Sequence, residues 1–402
     1  MLTLDEALAR LLQAIRPLAE AEPVATFDAL GRVLAAEVVS LLDVPPADNT
    51  SMDGYAVRAA DVPVAGTVLS VSQRIAAGVV GVPLQPGTAA RIFTGAELPA
   101  GADAVVMQEQ CEAVDGGVRV AVVPQPGQWI RRRGEDVQHH SVVLVRGTRL
   151  TPQALGLAAS VGAAALSVVR RPRVALLSTG DELVMPGEPL RPGAIYNSNR
   201  YTLRGLLQAF GCDCIDLGII PDSLAATRDA LRRAAAGCDL IVSSGGVSVG
   251  EEDHLRPAVQ AEGRLDLWQV AIKPGKPLAF GEVRRGDASS AWFIGLPGNP
   301  VSSFITFLLA VRPLLLRLQG ALPEPPKPLL VRAEFDWPKP DRRREFLRVR
   351  RNGEGALELF ANQSSGVLTS AVWGDGVVDN PPAQAIRRGD PVRYLSFADL
   401  LA

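Results

Sequence analysis

The stretch Arg173-Val174-Ala175-Leu176-Leu177-Ser178-Thr179-Gly180-Asp181-Glu182 decides the fold of this chain. Residues 173–177 read as a buried strand, and the run opens into a loop of small and acidic residues. The same grammar continues downstream. Residues 199–210 read as a helix stopped by Gly211, 214–220 as a strand, 223–236 as a helix stopped by Gly237, and 240–242 as a further strand. A long helix over 301–318 closes the series. Strand and helix alternating at this spacing imply a parallel sheet with right-handed crossovers, in a three-layer α/β/α arrangement.

On either side the texture differs. Thr3-Leu4-Asp5-Glu6 is a capping box, and Leu4, Leu8, Leu11, Leu12 and Ile15 recur at helical spacing, so an amphipathic opening helix must pack on something later in the chain. A second short helix is expected over 29–41, closed by Val44-Pro45-Pro46. From 56 to 145, short valine-rich alternations (67–71, 104–108, 118–123, 142–145) between glycine and proline turns read as an all-β module. Thr151-Pro152 supplies an N-cap and a first-turn proline for another helix. Residues 321–328 carry four prolines and form a stiff linker to a small β unit, with turns at Asn352-Gly353 and Gly374-Asp375-Gly376.

Composition bounds the function. At roughly 150 residues per domain, 402 residues imply two or three domains. Basic residues number 41 and acidic residues 43, a balance that excludes a nucleic-acid coat, and 5% aromatics argue against single-strand stacking. Four cysteines are too few for a disulfide framework, and Cys212 and Cys214 read as reduced strand residues. Three histidines give no zinc-ligand spacing, and His139-His140 reads as a solvated turn. There is no leader pattern and no apolar run of roughly 18 uncharged residues, so a cytoplasmic protein without membrane contact is expected.

In an open parallel sheet, ligands bind beyond the carboxyl ends of the strands. Three loops fall there: Ser178 to Glu182, Ser243 to Asp253 with Ser244-Gly245-Gly246-Val247-Ser248, and Gly295 to Ser302 with Pro297-Gly298-Asn299. Glycines let backbone N–H groups approach an anion, so these loops read as phosphate cradles. They match neither a Walker loop nor a dinucleotide turn. The carboxylates Asp181, Glu182, Glu252 and Asp253 beside a phosphate imply Mg²⁺ between them. Glu252 and Asp222 can also be read as helix N-caps. Lys273-Pro274-Gly275-Lys276 supplies two exposed cations at the end of another strand. Arg131-Arg132-Arg133-Gly134-Glu135-Asp136 and Arg342-Arg343-Arg344 read as solvated faces, with capture of a small polyanion as the functional alternative.

Taken in order, Asn49-Thr50-Ser51-Met52-Asp53-Gly54-Tyr55-Ala56, Ile92-Phe93-Thr94-Gly95, Arg131 to Asp136, Ser178 to Leu183, Ser244 to Asp253, Ile272 to Pro277 and Leu296 to Pro300 resemble the molybdopterin molybdenumtransferases, the MoeA or gephyrin E-domain family. The resemblance covers essentially the whole chain. It implies an elongated homodimer with four regions per subunit: an α/β/α molybdopterin-binding domain (1–20 and 172–321), a connecting domain (21–44 and 141–171), an inserted β domain (45–140) and a C-terminal β-barrel-like domain (322–402). The implied reaction inserts molybdate into adenylylated molybdopterin and releases AMP, with Mg²⁺ as the assisting cation.

Site roles follow from the same resemblance. Asp53 and Thr94 would reach the site from the opposing subunit, and Glu182, Asp222 and Asp253 complete the catalytic set, with Glu182 and Asp253 on the metal. Ser178, Thr179, Gly180, Asp181, Ser244, Gly245, Gly246, Ser248, Pro297, Gly298, Asn299 and Arg131 would bind the pterin and nucleotide. Lys273 and Lys276 would hold phosphates or molybdate, and Arg344, Ser365 and Ser370 would approach from the last domain. Gln269 stands where many members carry lysine, so the amide offers a hydrogen bond but no charge. A transient contact with a molybdopterin adenylyltransferase is also implied.

Two rivals follow. An adenylyltransferase would resemble only the sheet domain and would consume ATP with free molybdopterin. A gephyrin-like scaffold would anchor a protein partner, but no fused domain or long low-complexity linker stands in this sequence.

Overall fold

Arg173–Thr179 is a strand whose Val174, Ala175 and Leu176 have no exposure, because both faces of its sheet are covered by helices. The computed structural model describes residues 1–246, 254–287, 289–322 and 325–401. The six strands run in the order Asp213–Ile220, Arg173–Thr179, Leu240–Ser244, Ser290–Leu296, Pro277–Arg284, Gly263–Gln269. The first four are parallel, as expected. Pro277–Arg284 departs from the parallel reading and runs antiparallel to both neighbours. Only residues 285–289 separate it from Ser290–Leu296, which is too short for a crossover and long enough for a hairpin.

The opening helix Leu4–Ala14 carries both capping-box bonds, Glu6 N–H to Thr3 Oγ1 at 3.2 Å and Thr3 N–H to Glu6 Oε2 at 2.8 Å. Its buried Leu4, Ala7 and Leu11 join one face of the sheet together with the Ser198–Ala209 helix and the closing helix. Leu224–Gly237 and Leu255–Glu262 cover the other face. The closing helix runs Pro300–Thr306, widens to a π turn at Phe307–Val311, and continues as Arg312–Leu318. Pro313 has no N–H and would crowd the carbonyl four residues back, and the wider turn absorbs both defects. By length and hydropathy this helix could cross a bilayer, but 78% of it is buried inside the protein.

The helix expected over 29–41 does not form. Gly31 adopts φ +73°, and Leu34 N–H and Ala35 N–H donate to the carbonyls of Thr148 and Ser167 instead of to a helical turn. Val33 and Leu34 are thereby buried, Leu34 beside Leu150, Leu166 and Val168. Ala21–Ala25 pairs antiparallel with Ala165–Val169, and Val38–Val39 with Val142–Leu144, so the chain leaves and re-enters this region side by side. Pro152–Ser160 forms the expected helix, with Thr151 accepting from Ala154 N–H.

Between these crossings lies a six-stranded sheet ordered Ala104–Met107, Gly54–Val57, Thr88–Ile92, Thr67–Ile75, Gly117–Val120, Cys111–Val114. The C-terminal residues form a second β-rich unit around Arg344–Arg351 and Gly376–Asn380. Its edge is completed by Ile272–Lys273, which leaves the α/β sheet to pair parallel with Arg344 and Glu345. That exchange ties the C-terminal unit to the carboxyl edge of the main sheet.

Candidate active site

All three loops anticipated at the sheet edge line one cleft of about 1150 Å³. Thr179, Gly180 and Glu182 come from the first, Ser244, Gly245 and Gly246 from the second, and Pro297, Gly298 and Asn299 from the third. The opposite wall is built from Lys273 to Pro277, Arg343 and residues 363–366. Two glycines are obligatory here. Gly246 has φ +67°, and a Cβ would come within 2.7 Å of Thr179 Oγ1. Gly180 has φ +137°, and a Cβ would come within 2.5 Å of the Glu182 carboxylate folded over it. Among the described residues, the N–H groups of Gly246, Gly298 and Asn299 have no protein acceptor. Free N–H groups beside glycines are what an anion cradle requires.

Cations and carboxylates face each other across the cleft. Lys273 is half-buried rather than fully exposed, and its Nζ lies 3.1 Å from the buried Glu345 and 3.5 Å from Asp341. It sits at the start of the connection into the C-terminal sheet, not at the end of a main-sheet strand. Lys276 is exposed and, among the described residues, has no carboxylate partner. Arg343 lines the cleft and its hydrogen bonds hold the Asp341 carboxyl well below the usual range. Asp222 is not a helix cap: Ser223 accepts from Ala226 N–H, and the Asp222 carboxylate is left to the cleft. Neither Asp222 nor Glu182 accepts a side-chain hydrogen bond among the described residues.

Several expected residues lie elsewhere. Arg344 points away from this cleft and is held by both oxygens of Asp379, at 2.5 and 2.8 Å. Ser370 is fully buried and bonds Arg348 and the Val367 carbonyl, so its hydroxyl serves the C-terminal unit itself. Ser178 is buried beneath the first loop, and Asp181 is exposed outside the cleft lining. Ser365 lines the cleft as expected. Gln269 is exposed at the end of Gly263–Gln269 and is not part of the lining. Ser248, Glu252 and Asp253 lie outside the described residues.

Asp53, Thr94 and Arg131 belong to the inserted β sheet region and do not line the cleft. Asp53 and Thr94 nevertheless form a unit: Asp53 Oδ1 accepts from Thr94 N–H and Thr94 Oγ1, both at 2.7 Å. Those bonds keep the Asp53 carboxyl below its ordinary value. Arg131 is exposed, whereas its neighbours pair, Arg132 with Asp48 and Arg133 with Asp43. The run is therefore a set of ion pairs more than a free cationic face. The cysteines take no part; burial pushes Cys212 up to about 12 and Cys111 and Cys238 up to about 11.

Sequence reading missed part of the lining. Asn197, Ser198 and Asn199 open the Ser198–Ala209 helix into the cleft, and the Asn-Ser-Asn triplet at a helix start was a legible capping signal. His254, Arg343, Gln363, Ser364 and Gly366 also line it. The 363–366 segment is fixed by Arg348, a fully buried arginine that donates to the Ser364 carbonyl at 3.3 Å, and by Gln363, which accepts from Arg348 N–H at 2.9 Å. Val301 N–H then donates to the Ser365 carbonyl at 3.0 Å, joining that segment to the start of the closing helix.

Fold and cleft together define an α/β protein with a cleft between its sheet edge and a C-terminal β unit, lined by glycine loops and cations. The family model for the MoeA N-terminal region (domain I and II) matches residues 2–162, that for a probable molybdopterin binding domain residues 175–317, and that for the MoeA C-terminal region (domain IV) residues 331–397. The molybdopterin molybdenumtransferase of Haemophilus influenzae is 45% identical over 325 residues, covering 80% of this chain and 78% of the relative. That of Synechococcus elongatus is 34% identical over 383 residues, covering 91% and 92%. A crystal structure of the molybdopterin biosynthesis moeA protein from Pyrococcus horikoshii superimposes with a TM-score of 0.85 at 30% identity, over 99% of this chain and all of the other. This chain belongs to the molybdopterin molybdenumtransferase family.

Proposed function

We propose that this protein is a transferase of molybdenum cofactor biosynthesis that inserts molybdate into adenylylated molybdopterin with release of AMP. The observation that carries the reading is the cleft itself, where unpaired N–H groups of Gly246, Gly298 and Asn299 face a wall bearing Lys273, Lys276 and Arg343. N–H groups hold phosphate oxygens without charge repulsion, and the cations hold an oxyanion and the charge that grows on a leaving phosphate. Cleavage of the phosphoanhydride forms a bond from an oxygen nucleophile to phosphorus and breaks the bond to the bridging oxygen, which departs with the electron pair. Lys276, without a carboxylate partner among the described residues, is best placed to receive that charge.

Glu182 and Asp222 offer hard oxygen donors without competing hydrogen bonds, a donor set that fits Mg²⁺, and Asp253 would complete it. Among the described residues no three such side chains cluster, so the remaining ligands would be phosphate and water. When bound, the cation neutralises phosphate charge beside the carboxylates. Asp53 and Thr94 act as one acceptor-donor pair, brought to the cleft by a second copy in a homodimer. The division into 1–20 with 172–321, 21–44 with 141–171, 45–140, and 322–402 belongs to the same reading, as do a cytoplasmic site of action and a transient contact with the adenylyltransferase that supplies the substrate.

The test is molybdate titration of adenylylated molybdopterin with this protein, following AMP by chromatography. AMP release that rises with molybdate and saturates is expected. AMP release indifferent to molybdate, or ATP consumption with free molybdopterin, would overturn the reading.

A further inference from the structure

The Asn199 carboxamide spends both of its N–H bonds inside the cleft wall. Nδ2 donates to Ser244 Oγ at 2.8 Å and to the Gly298 carbonyl at 2.7 Å, and the side chain is almost wholly buried. One residue thus joins the start of the Ser198–Ala209 helix, the end of the Leu240–Ser244 strand and the third glycine loop. The peptide between Gly298 and Asn299 is trans, since the cis bonds are those at Pro45 and Pro274. In a trans peptide the C=O and the following N–H point in opposite directions. With the Gly298 carbonyl turned onto Asn199, the Asn299 N–H is turned away from it and, among the described residues, meets no protein acceptor. Glycine at 298 leaves ψ on the carbonyl side of this residue free to turn, so the residue's own sterics do not fix how the peptide is aimed. No other protein donor among the described residues holds that carbonyl.

We infer that Asn199 is a positioning residue which locks the Gly298–Asn299 peptide with its N–H presented to a phosphate oxygen of the substrate. The inference rests on the reading of the cleft given above. Without the lock, the peptide is free to turn about Gly298 and take its N–H off the anion, losing the attraction. Ser244 is held by the same amide, so the second loop keeps its place against the third.

The experiment compares the wild type with Asn199→Ala and Asn199→Asp, using adenylylated molybdopterin and molybdate, and reads KM, kcat and the thermal midpoint. Both variants are expected to lose about tenfold or more in kcat/KM, carried mainly by KM, while still melting cooperatively. Asp is isosteric but cannot donate when ionised; its acid form can restore one bond. Asn199→Asp should therefore regain activity relative to the wild type as pH falls, with Glu182, Asp222, His254, Lys273, Lys276 and Arg343 common to both proteins, whereas Asn199→Ala should not. A folded Asn199→Ala protein with wild-type KM, or a lowered midpoint with unchanged kinetics at a permissive temperature, would overturn the inference. So would an Asn199→Asp profile parallel to that of the wild type. A wild type that fails to release AMP in the same assay would instead refute the functional reading.

Discussion

Asp53 keeps its charge by hydrogen bonding, not by burial. Two 2.7 Å bonds from Thr94 favour the carboxylate, so its folded value lies below the ordinary one of about 3.9. The stabilisation is present above the ordinary value and is lost only as pH falls through the depressed one. Asp53 should thus contribute no acid limb to a pH–rate profile above about pH 5. Asp53→Ala is expected to lose AMP release by about 10²-fold or more while still melting cooperatively; activity and melting measured on one preparation check both halves. The two cleft lysines should behave differently. Lys273→Ala strands the buried Glu345, whose remaining donors are Trp337 Nε1 and Asp341 N–H, and should cost about 1–3 kcal/mol in denaturant unfolding as well as molybdate affinity. Lys276→Ala leaves no buried partner behind, so only affinity and turnover should fall. Arg343 and Arg344 show the limit of reading such a run: Arg344 starts a strand, where adjacent side chains face opposite sides, and only the register says which one meets the cleft.

At the scale of elements, a single hydrogen atom decides whether the inserted sheet closes. Gly54 pairs with both Ile92 and Met107, and a Cβ there would fall 1.9 Å from the Val106 carbonyl oxygen. Gly54→Ala should destabilise by several kcal/mol, roughly the upper range for point changes, and displace the adjacent Asp53; circular dichroism melts and AMP release should fall together. Local signals were legible in the sequence because their chemistry is local. The capping box at Thr3, the Thr151-Pro152 start and the apolar run at 173–177 all became the elements they announced. The extended path over 29–41 was not legible, since its hydrogen-bond partners lie more than a hundred residues away at 148 and 167. Nor was the antiparallel Pro277–Arg284, because alternation reports a strand and not its direction. The glycine loops were found for the opposite reason: residue type alone supplies free N–H groups, and parallel topology alone brings the loops to one edge.

Across the whole molecule, the site is split between units that the chain visits at different times. The cleft draws on residues 179–366, whereas Asp53 and Thr94 lie on a sheet that does not line it. If a second copy supplies that pair, Asp53→Ala and Glu182→Ala proteins, each inactive alone, should regain roughly a quarter of wild-type turnover when unfolded and refolded together, because half the dimers then carry one intact site. Persistent inactivity of the mixture, with mixed dimers demonstrated by mass, would instead mean that Asp53 serves the cleft of its own chain. The opening helix has a further consequence during synthesis. Leu4, Ala7 and Leu11 bury against a core whose other wall includes the helix that runs to Leu318, about three hundred residues later. At about 5–20 residues per second, the ribosome needs roughly 15–60 s to deliver that partner. An eleven-residue helix is not stable alone, so its apolar stripe waits in solvent while the inserted β sheet, complete by Val120, can already close. The opening helix is thus made early and is among the last elements to find its place.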